Sequence, residues 1–415
     1  MDYCIDKIPV FINNAIDLPA SKSISNRVLV IDALSGRRCD VGNVARCDDT
    51  DAMIAALAND TSATVNIGAA GTAMRFLTAY FSVQAGRTVV LDGTERMRQR
   101  PIKPLVDALN ACGADIRYVG QVGYPPIELH GRSYHCDSLA IDASMSSQFI
   151  SAVLMVAPVI GCKRVTLMGK IISRPYIDMT LGIMRQFGIH SQWEGNTIVM
   201  DGVYVPPSRF IVESDWSAAS YWFEIQALNP SLSHIFLRGL FADSLQGDSR
   251  VCDIFKRFGV EAVACDGGIE LRHCKRSDNR CMELDMADCP DLAQTVVVTA
   301  CLLEVPFHIT GLQTLRIKET DRIEALRSQL LKLGYEIIVG DDCSLSYGGE
   351  PPGYVETRMQ NVVIETFDDH RMAMAFAPAA LVHPGIVVAD AGVVSKSYPD
   401  YWRHLAASGF GIKEV

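Results

Sequence analysis

The segment LPASKSISNRVLVIDAL (18–34) sets Lys22 and Arg27 among Ser21, Ser23 and Ser25, directly before an apolar run. A serine at a helix start is ordinary, because its hydroxyl satisfies an orphan backbone N–H. Two cations there are less ordinary: the positive end of the helix dipole disfavours them unless an anion arrives to offset the charge. The plainer alternative is a serine-capped helix with solvated basic side chains. Other segments repeat the theme. GAAGTAMRF (68–76) places Gly68 and Gly71 before a helix-like run, where backbone N–H groups can approach an oxyanion. GTERMRQRPIKPLVDAL (93–109) carries Arg96, Arg98, Arg100 and Lys103 into a helix started by Pro101 or Pro104. ASMSSQFISAVL (143–154) offers Ser144, Ser146, Ser147 and Gln148, more neutral donors than capping requires, and SRPYIDMTL (173–181) adds Ser173, Arg174 and Tyr176.

RIKETDRIEAL (316–326) spaces Lys318 and Arg322 at i, i+4 around Glu319, with Thr320 or Asp321 able to cap the next helix. Its plainer reading is a surface helix with ion pairs. For Asp291, in CPDLAQTVVV, the plainer reading is an N-cap. In FDDHRMAMAFAPAAL, the group Asp368, Asp369, His370 resembles metal ligands, but no second carboxylate or histidine cluster completes a site. Lys396 sits in a serine-flanked loop, SKSYPDYW.

Lys22, Arg27, Arg100, Lys318, Arg322, Arg371 and Lys396 thus stand at separate element starts in a chain of net charge −10. Cations dispersed in this way fit a folded pocket for a small, densely anionic ligand. Neither a P-loop nor a strand-embedded G-x-G-x-x-G is present. The negative balance argues against nucleic-acid or acidic-membrane partners. The N-terminus lacks a secretory h-region, and the most apolar runs, 149–160 and 295–307, fall short of the ~20 residues a bilayer needs. Thirteen cysteines are scattered without a C-x-x-C pair, as expected of reduced cytosolic thiols rather than a disulfide framework or a zinc site.

The elements that must position these residues show as a repeat. LVDALNACGADIRYV, LGIMRQFGIHSQW, VCDIFKRFGVEAVA, IEALRSQLLKLGYEIIV and YWRHLAASGFGIKEV each read as an apolar helical stripe, a glycine and a short strand. The marker glycines, Gly113, Gly188, Gly259, Gly334 and Gly409, lie 75, 71, 75 and 75 residues apart and suit the left-handed C-cap position. With a degenerate copy near Leu57–Asp60, the 415 residues read as six α/β units of some seventy residues, dividing into two domains of three.

In order along the chain, LPASKSISNR, GTAMR, RMRQRPI, SSQF, SRPYID, KETDR, DDHRMAM and SKSYPDY resemble the 5-enolpyruvylshikimate-3-phosphate synthase family of enolpyruvyl transferases. The resemblance runs from Leu18 to Tyr401. It implies a two-domain inverse α/β barrel with six β-α-β-α-β-β units, three per domain. The chain would cross near Pro19–Ala20 and Val212–Glu213, so that 1–19 joins 213–415 and 20–212 is inserted, with the active site in the cleft between. It further implies transfer of the enolpyruvyl group of phosphoenolpyruvate to the 5-hydroxyl of shikimate 3-phosphate, through a tetrahedral ketal and without a metal or organic cofactor. Carried over by motif, Asp291 is the base for the hydroxyl, and Glu319 and Lys22 share proton transfer at the phosphoenolpyruvate end. Lys22, Gly71, Arg100, Gln148, Arg322, Arg371 and Lys396 would bind phosphoenolpyruvate. Lys22, Ser23, Arg27, Ser146, Ser147, Gln148, Ser173, Asp291 and Lys318 would hold shikimate 3-phosphate, with Tyr176 packing nearby. A cytoplasmic monomer acting on small molecules, with no nucleic-acid or membrane partner, is expected.

Three positions depart from the family pattern: Ala69 and Thr314 stand where asparagines are usual, and Ala20 where a glycine is usual. Ala69 removes a side-chain hydrogen bond in or near the pocket, while Thr314 can still donate one. These changes bear on substrate affinity and glyphosate response rather than on the reaction. The related UDP-N-acetylglucosamine enolpyruvyl transferases usually carry a loop cysteine in the equivalent of 93–104, whereas no cysteine lies between Cys47 and Cys112 here. A non-catalytic anion-binding homologue would lose the acid/base pair that Asp291 and Glu319 supply.

Overall fold

Every marker glycine has a positive φ, between 86° and 106°, where a side chain would be strained. Each follows a helix (Lys103–Ala111, Arg174–Gln186, Val251–Lys256, Arg322–Lys332 or Tyr401–Ala407) and leads into a strand. The computed structural model describes residues 1–9, 11–59, 61–229, 233–276, 281–350 and 362–415; Asp60, at the end of the degenerate first copy, lies outside them.

The described residues form two compact units, Ala20–Val212 and Met1–Pro19 with Glu213–Val415. One sheet plan recurs in both. In the first unit, Thr64–Asn66 pairs parallel with Thr88–Asp92, which pairs antiparallel with Ile127–His130, itself in a hairpin with Ile116–Tyr118. Ser138–Asp142, Arg164–Met168, Thr197–Asp201 and His190–Glu194 repeat the order. A third sheet there is the parallel pair Asp40–Gly42 and Arg209–Ile211.

In the second unit, Met282–Asp285, Phe307–Thr310, Leu345–Tyr347 and Ile338–Val339 follow the plan contiguously. The other two sheets use the N-terminus. Ile12–Asp17 pairs parallel with Ser233–Arg238, although all of 20–212 intervenes. Tyr3–Lys7 inserts between Ile386–Val388 and Gly411–Glu414, so the start of the chain completes the sheet its end begins.

A helix buried almost all round precedes the second strand in four of the parallel pairs: Thr88–Asp92, Arg164–Met168, Ser233–Arg238 and Phe307–Thr310. Ala293–Leu302 is buried at every residue. Gly71–Ser82 is buried except at Thr72, and Ser147–Val156 except at Gln148. Trp216–Leu228 is buried except at Ser217 and the terminal Leu228. Such helices belong at the centre of a unit with the sheets outside them, and each unit has its own apolar core built on them. Three of these helices open to the surface at their second residue, Thr72, Gln148 and Ser217, which marks their N-terminal ends as a polar face. No helix among the described residues is long and apolar enough to cross a membrane.

Candidate functional site

In the unit 20–212, the serines of the opening segment separate by role. Ser21 caps the helix Lys22–Leu34, accepting from Ile24 N at 3.5 Å, and the buried Ser25 accepts from Ala45 N at 2.9 Å. Lys22 is the first residue of that helix, and its Nζ lies 3.2 Å from Asp49 Oδ2. Arg27, one turn further, is buried. Its Nε donates to Thr180 Oγ1 at 2.7 Å, Nη1 to Ser23 O at 2.8 Å, and Nη2 to Ser151 Oγ at 3.1 Å and Tyr176 O at 3.3 Å. Those partners are neutral, and the Phe76 and Tyr176 rings flank the guanidinium. Burial lowers the Arg27 pKa to about 10, against the opposing effect of Tyr176. A buried cation surrounded by neutral acceptors is a seat for an anion.

The glycine loop and the arginine run meet. A Cβ on Gly71 would lie 2.5 Å from Arg100 Nη1, so the guanidinium packs against the bare backbone at the start of Gly71–Ser82. The neighbouring cations are held elsewhere: Arg98 forms a bidentate pair with Asp92, and Lys103 pairs with Asp107. Gln148 Nε2 donates to Thr72 Oγ1 at 3.2 Å, which joins the SSQF segment to the glycine loop. Ser146 caps Ser147–Val156 by accepting from Gln148 N, and Ser147 is buried at its first turn. Ser173 holds φ 51° without a side-chain capping bond, a left-handed conformation that costs a non-glycine residue about 1–2 kcal/mol. Arg75, which sequence reasoning left aside, is buried under this loop. Its Nη1 donates to Gly71 O at 3.0 Å and its Nη2 to Pro101 O at 3.2 Å, tying the two segments together.

In the other unit, charged groups from several elements converge. Arg322 begins the helix Arg322–Lys332, capped by Asp321, which accepts from Ile323 N and Glu324 N. Its guanidinium is buried and touches three carboxylates: Asp369 Oδ2 at 2.6 Å, Glu319 Oε2 at 2.9 Å and Asp291 Oδ1 at 3.1 Å. Arg371 Nη2 lies 3.0 Å from Asp291 Oδ2, Lys318 Nζ 3.5 Å from Asp291 Oδ1, and Lys396 Nζ 3.7 Å from Glu319 Oε1. The plainer sequence readings therefore fail at two places. Asp291 faces cations rather than capping the helix behind it, and Arg322 is buried rather than part of a solvated ion-pair ladder. Asp369 clasps Arg322 and caps His370–Phe376 by accepting from Arg371 N at 2.9 Å.

Burial by itself would raise the Asp291 carboxyl, but Arg371, Lys318 and Arg322 hold it well below the usual carboxylate range. Burial would lower Arg322, and Asp369, Glu319 and Asp291 overcome it, so the guanidinium stays charged. Four cations against three carboxylates leave the cluster with a positive excess that an anion can neutralise. Thr314 Oγ1 is buried without a hydrogen-bond partner among the described residues, and Ala69 is exposed.

Asp49, Arg75, Ser217 and Asp369 were not picked out as site residues from sequence. Asp49 lies in an acidic run at a helix start, which reads as capping, Asp369 stands in a group that reads as metal ligands, and Arg75 and Ser217 belong to helices buried almost throughout. Only their contacts with residues on other elements reveal them.

The chain matches the profile of the family described as EPSP synthase (3-phosphoshikimate 1-carboxyvinyltransferase) over residues 7–60 and 57–405. It is 49% identical over 410 residues to a 3-phosphoshikimate 1-carboxyvinyltransferase of Bacteroides fragilis, covering 98% of this chain and 97% of that one. A protein of the same name from Tolumonas auensis is 34% identical, with 95% and 96% covered. Among solved structures, an EPSP synthase of Acinetobacter baumannii superposes with TM-score 0.77 at 21% identity over 99% of both chains. The enolpyruvyl transferase NikO of Streptomyces tendae does so with TM-score 0.72 at 16% identity, covering 100% and 98%. At those identities the two structures speak to the fold alone, which is the two-domain inverse α/β arrangement expected from the sequence.

Proposed function

The chain belongs to the EPSP synthase, or 3-phosphoshikimate 1-carboxyvinyltransferase, family, and from that premise we infer how its residues divide the work. It transfers the enolpyruvyl group of phosphoenolpyruvate to the 5-hydroxyl of shikimate 3-phosphate and releases phosphate, in the shikimate pathway to chorismate and the aromatic amino acids. Lys22, Gly71, Arg100, Gln148, Arg322, Arg371 and Lys396 take phosphoenolpyruvate. Lys22, Ser23, Arg27, Ser146, Ser147, Gln148, Ser173, Asp291 and Lys318 take shikimate 3-phosphate, with Tyr176 beside them. Asp291 accepts the proton of the 5-hydroxyl, and Glu319 and Lys22 move the proton at the methylene carbon. The protein acts as a cytoplasmic monomer on small molecules, binding neither nucleic acid nor membrane.

The observation that carries these roles is the contact of Asp291 with Arg371, Arg322 and Lys318. A carboxylate held that far down is a weak base. The substrates' phosphate and carboxylate groups draw the three cations toward themselves, and Asp291 then rises toward a useful basicity. Binding thereby switches on the base, and the same cations stabilise the charge of the tetrahedral adduct. The test is phosphate release with both substrates present and with each omitted. No release with the pair would refute the assignment, and release only with UDP-N-acetylglucosamine as acceptor would place the chain with the related transferases.

A further inference from the structure

Asp248 has no part in the roles above, yet it is wired to them. It lies on the turn Gly247–Arg250, with 4% of its surface exposed. Its Oδ2 accepts a hydrogen bond from Ser217 Oγ. Ser217 Oγ accepts in turn from Arg371 Nη2 at 3.4 Å, the same nitrogen that lies 3.0 Å from Asp291 Oδ2. The result is a chain of carboxylate, hydroxyl, guanidinium and carboxylate. The other oxygen of Asp248, Oδ1, is buried with no hydrogen-bond partner among the described residues. An ionised carboxylate left bare in this way is costly, and a proton removes the cost.

We propose that Asp248 is a positioning residue whose protonation state sets how much positive charge Arg371 offers to an anionic ligand. The inference rests on the assignment of Arg371 to phosphoenolpyruvate. The charged and titratable groups around Asp248 are Asp291, Arg371, Asp215 and the buried Cys289 thiol. Burial first, then Asp291, push its carboxyl up to about 7, against Arg371 and the Ser217 hydroxyl. Below that pH, Asp248 is neutral and Arg371 answers to Asp291 and the ligand. Above it, a second negative charge competes with phosphoenolpyruvate for the same guanidinium. Linkage is reciprocal, so binding of the anion raises the Asp248 pKa by as much as ionisation weakens binding.

The test is the KM for phosphoenolpyruvate as a function of pH in the wild type, Asp248→Asn, Asp248→Glu and Ser217→Ala. Ionisation of the ligand's own phosphate is common to all four, so the ratio of variant to wild type is the readout. A one-unit coupling corresponds to about tenfold in affinity. Asp248→Asn is therefore expected to match the wild type on the acid side of 7 and to bind up to about tenfold better on the alkaline side. Asp248→Glu should restore the inflection. Ser217→Ala removes the bond that lowers the Asp248 pKa, so its inflection should move to higher pH. A KM ratio for Asp248→Asn that is constant across pH overturns the proposal, as does a Ser217→Ala inflection that stays in place. If Asp248→Asn fails to fold, Ser217→Ala decides alone. A wild type that releases no phosphate condemns the functional assignment instead.

Discussion

Replacing Asp369 by asparagine separates charge from shape at the centre of the carboxylate–guanidinium cluster. Asp369 is fully buried and does two things: Oδ1 caps His370–Phe376 at 2.9 Å, and the carboxylate clasps Arg322 through Nε at 2.6 Å and Nη2 at 3.3 Å. Asparagine keeps an oxygen for the cap, where it serves as well as aspartate. It removes the negative charge, and its amide brings a donor toward a donor at Arg322 Nε. Breaking a buried ion pair from one side costs about 3–5 kcal/mol. Arg322 retains Glu319 and Asp291, so the lower end, about 3 kcal/mol, is expected. For a domain of this size that is a fall in Tm of roughly 6–12 °C. Asp369→Ala should lose about 0.5–2 kcal/mol more with the cap. Arg322 would also lose the partner that fixes its orientation, and kcat/KM for phosphoenolpyruvate should fall roughly 10-fold or more. Calorimetric melting and initial rates measure both effects. A Tm change equivalent to less than about 0.5 kcal/mol would show that the pair does not hold the cluster together.

Asp291→Asn should reduce kcat by about 10²–10⁴ with the fold retained, and near-normal turnover would remove Asp291 from the chemistry. Arg75→Lys loses the fork that spans Gly71 O and Pro101 O; KM for phosphoenolpyruvate should rise about tenfold, while an unchanged value would mean that the two segments hold their places without it. Asp248→Asn should raise Tm above pH 7. The folded carboxyl lies at about 7 against an ordinary 3.8, so its ionisation costs stability progressively between those values, up to about 4 kcal/mol above them. Equal melting of variant and wild type at alkaline pH would contradict that sign.

The local features of this protein were legible in its sequence because they depend on spacing along the chain. The repeat of marker glycines follows from a backbone need, a left-handed residue after each outer helix, and so leaves a mark wherever the helix ends. The serines at helix starts follow from orphan N–H groups, and the cations beside them stand out because the helix dipole disfavours them within that same turn. The sheets formed by Tyr3–Lys7 and Ile12–Asp17 were not legible as pairings, since their partners lie hundreds of residues away and a strand's sequence does not name its neighbour. The roles of Asp291, Arg322 and Asp369 were open for the same reason. An aspartate before an apolar helix caps it or faces a cation, and only the tertiary approach of Arg371, Lys318 and Arg322 decides which. Arg75, Asp49 and Asp248 went unnoticed because what they hold is distant in sequence: burial turns each into a strong contact, and burial is a property of the packed structure rather than of the residue.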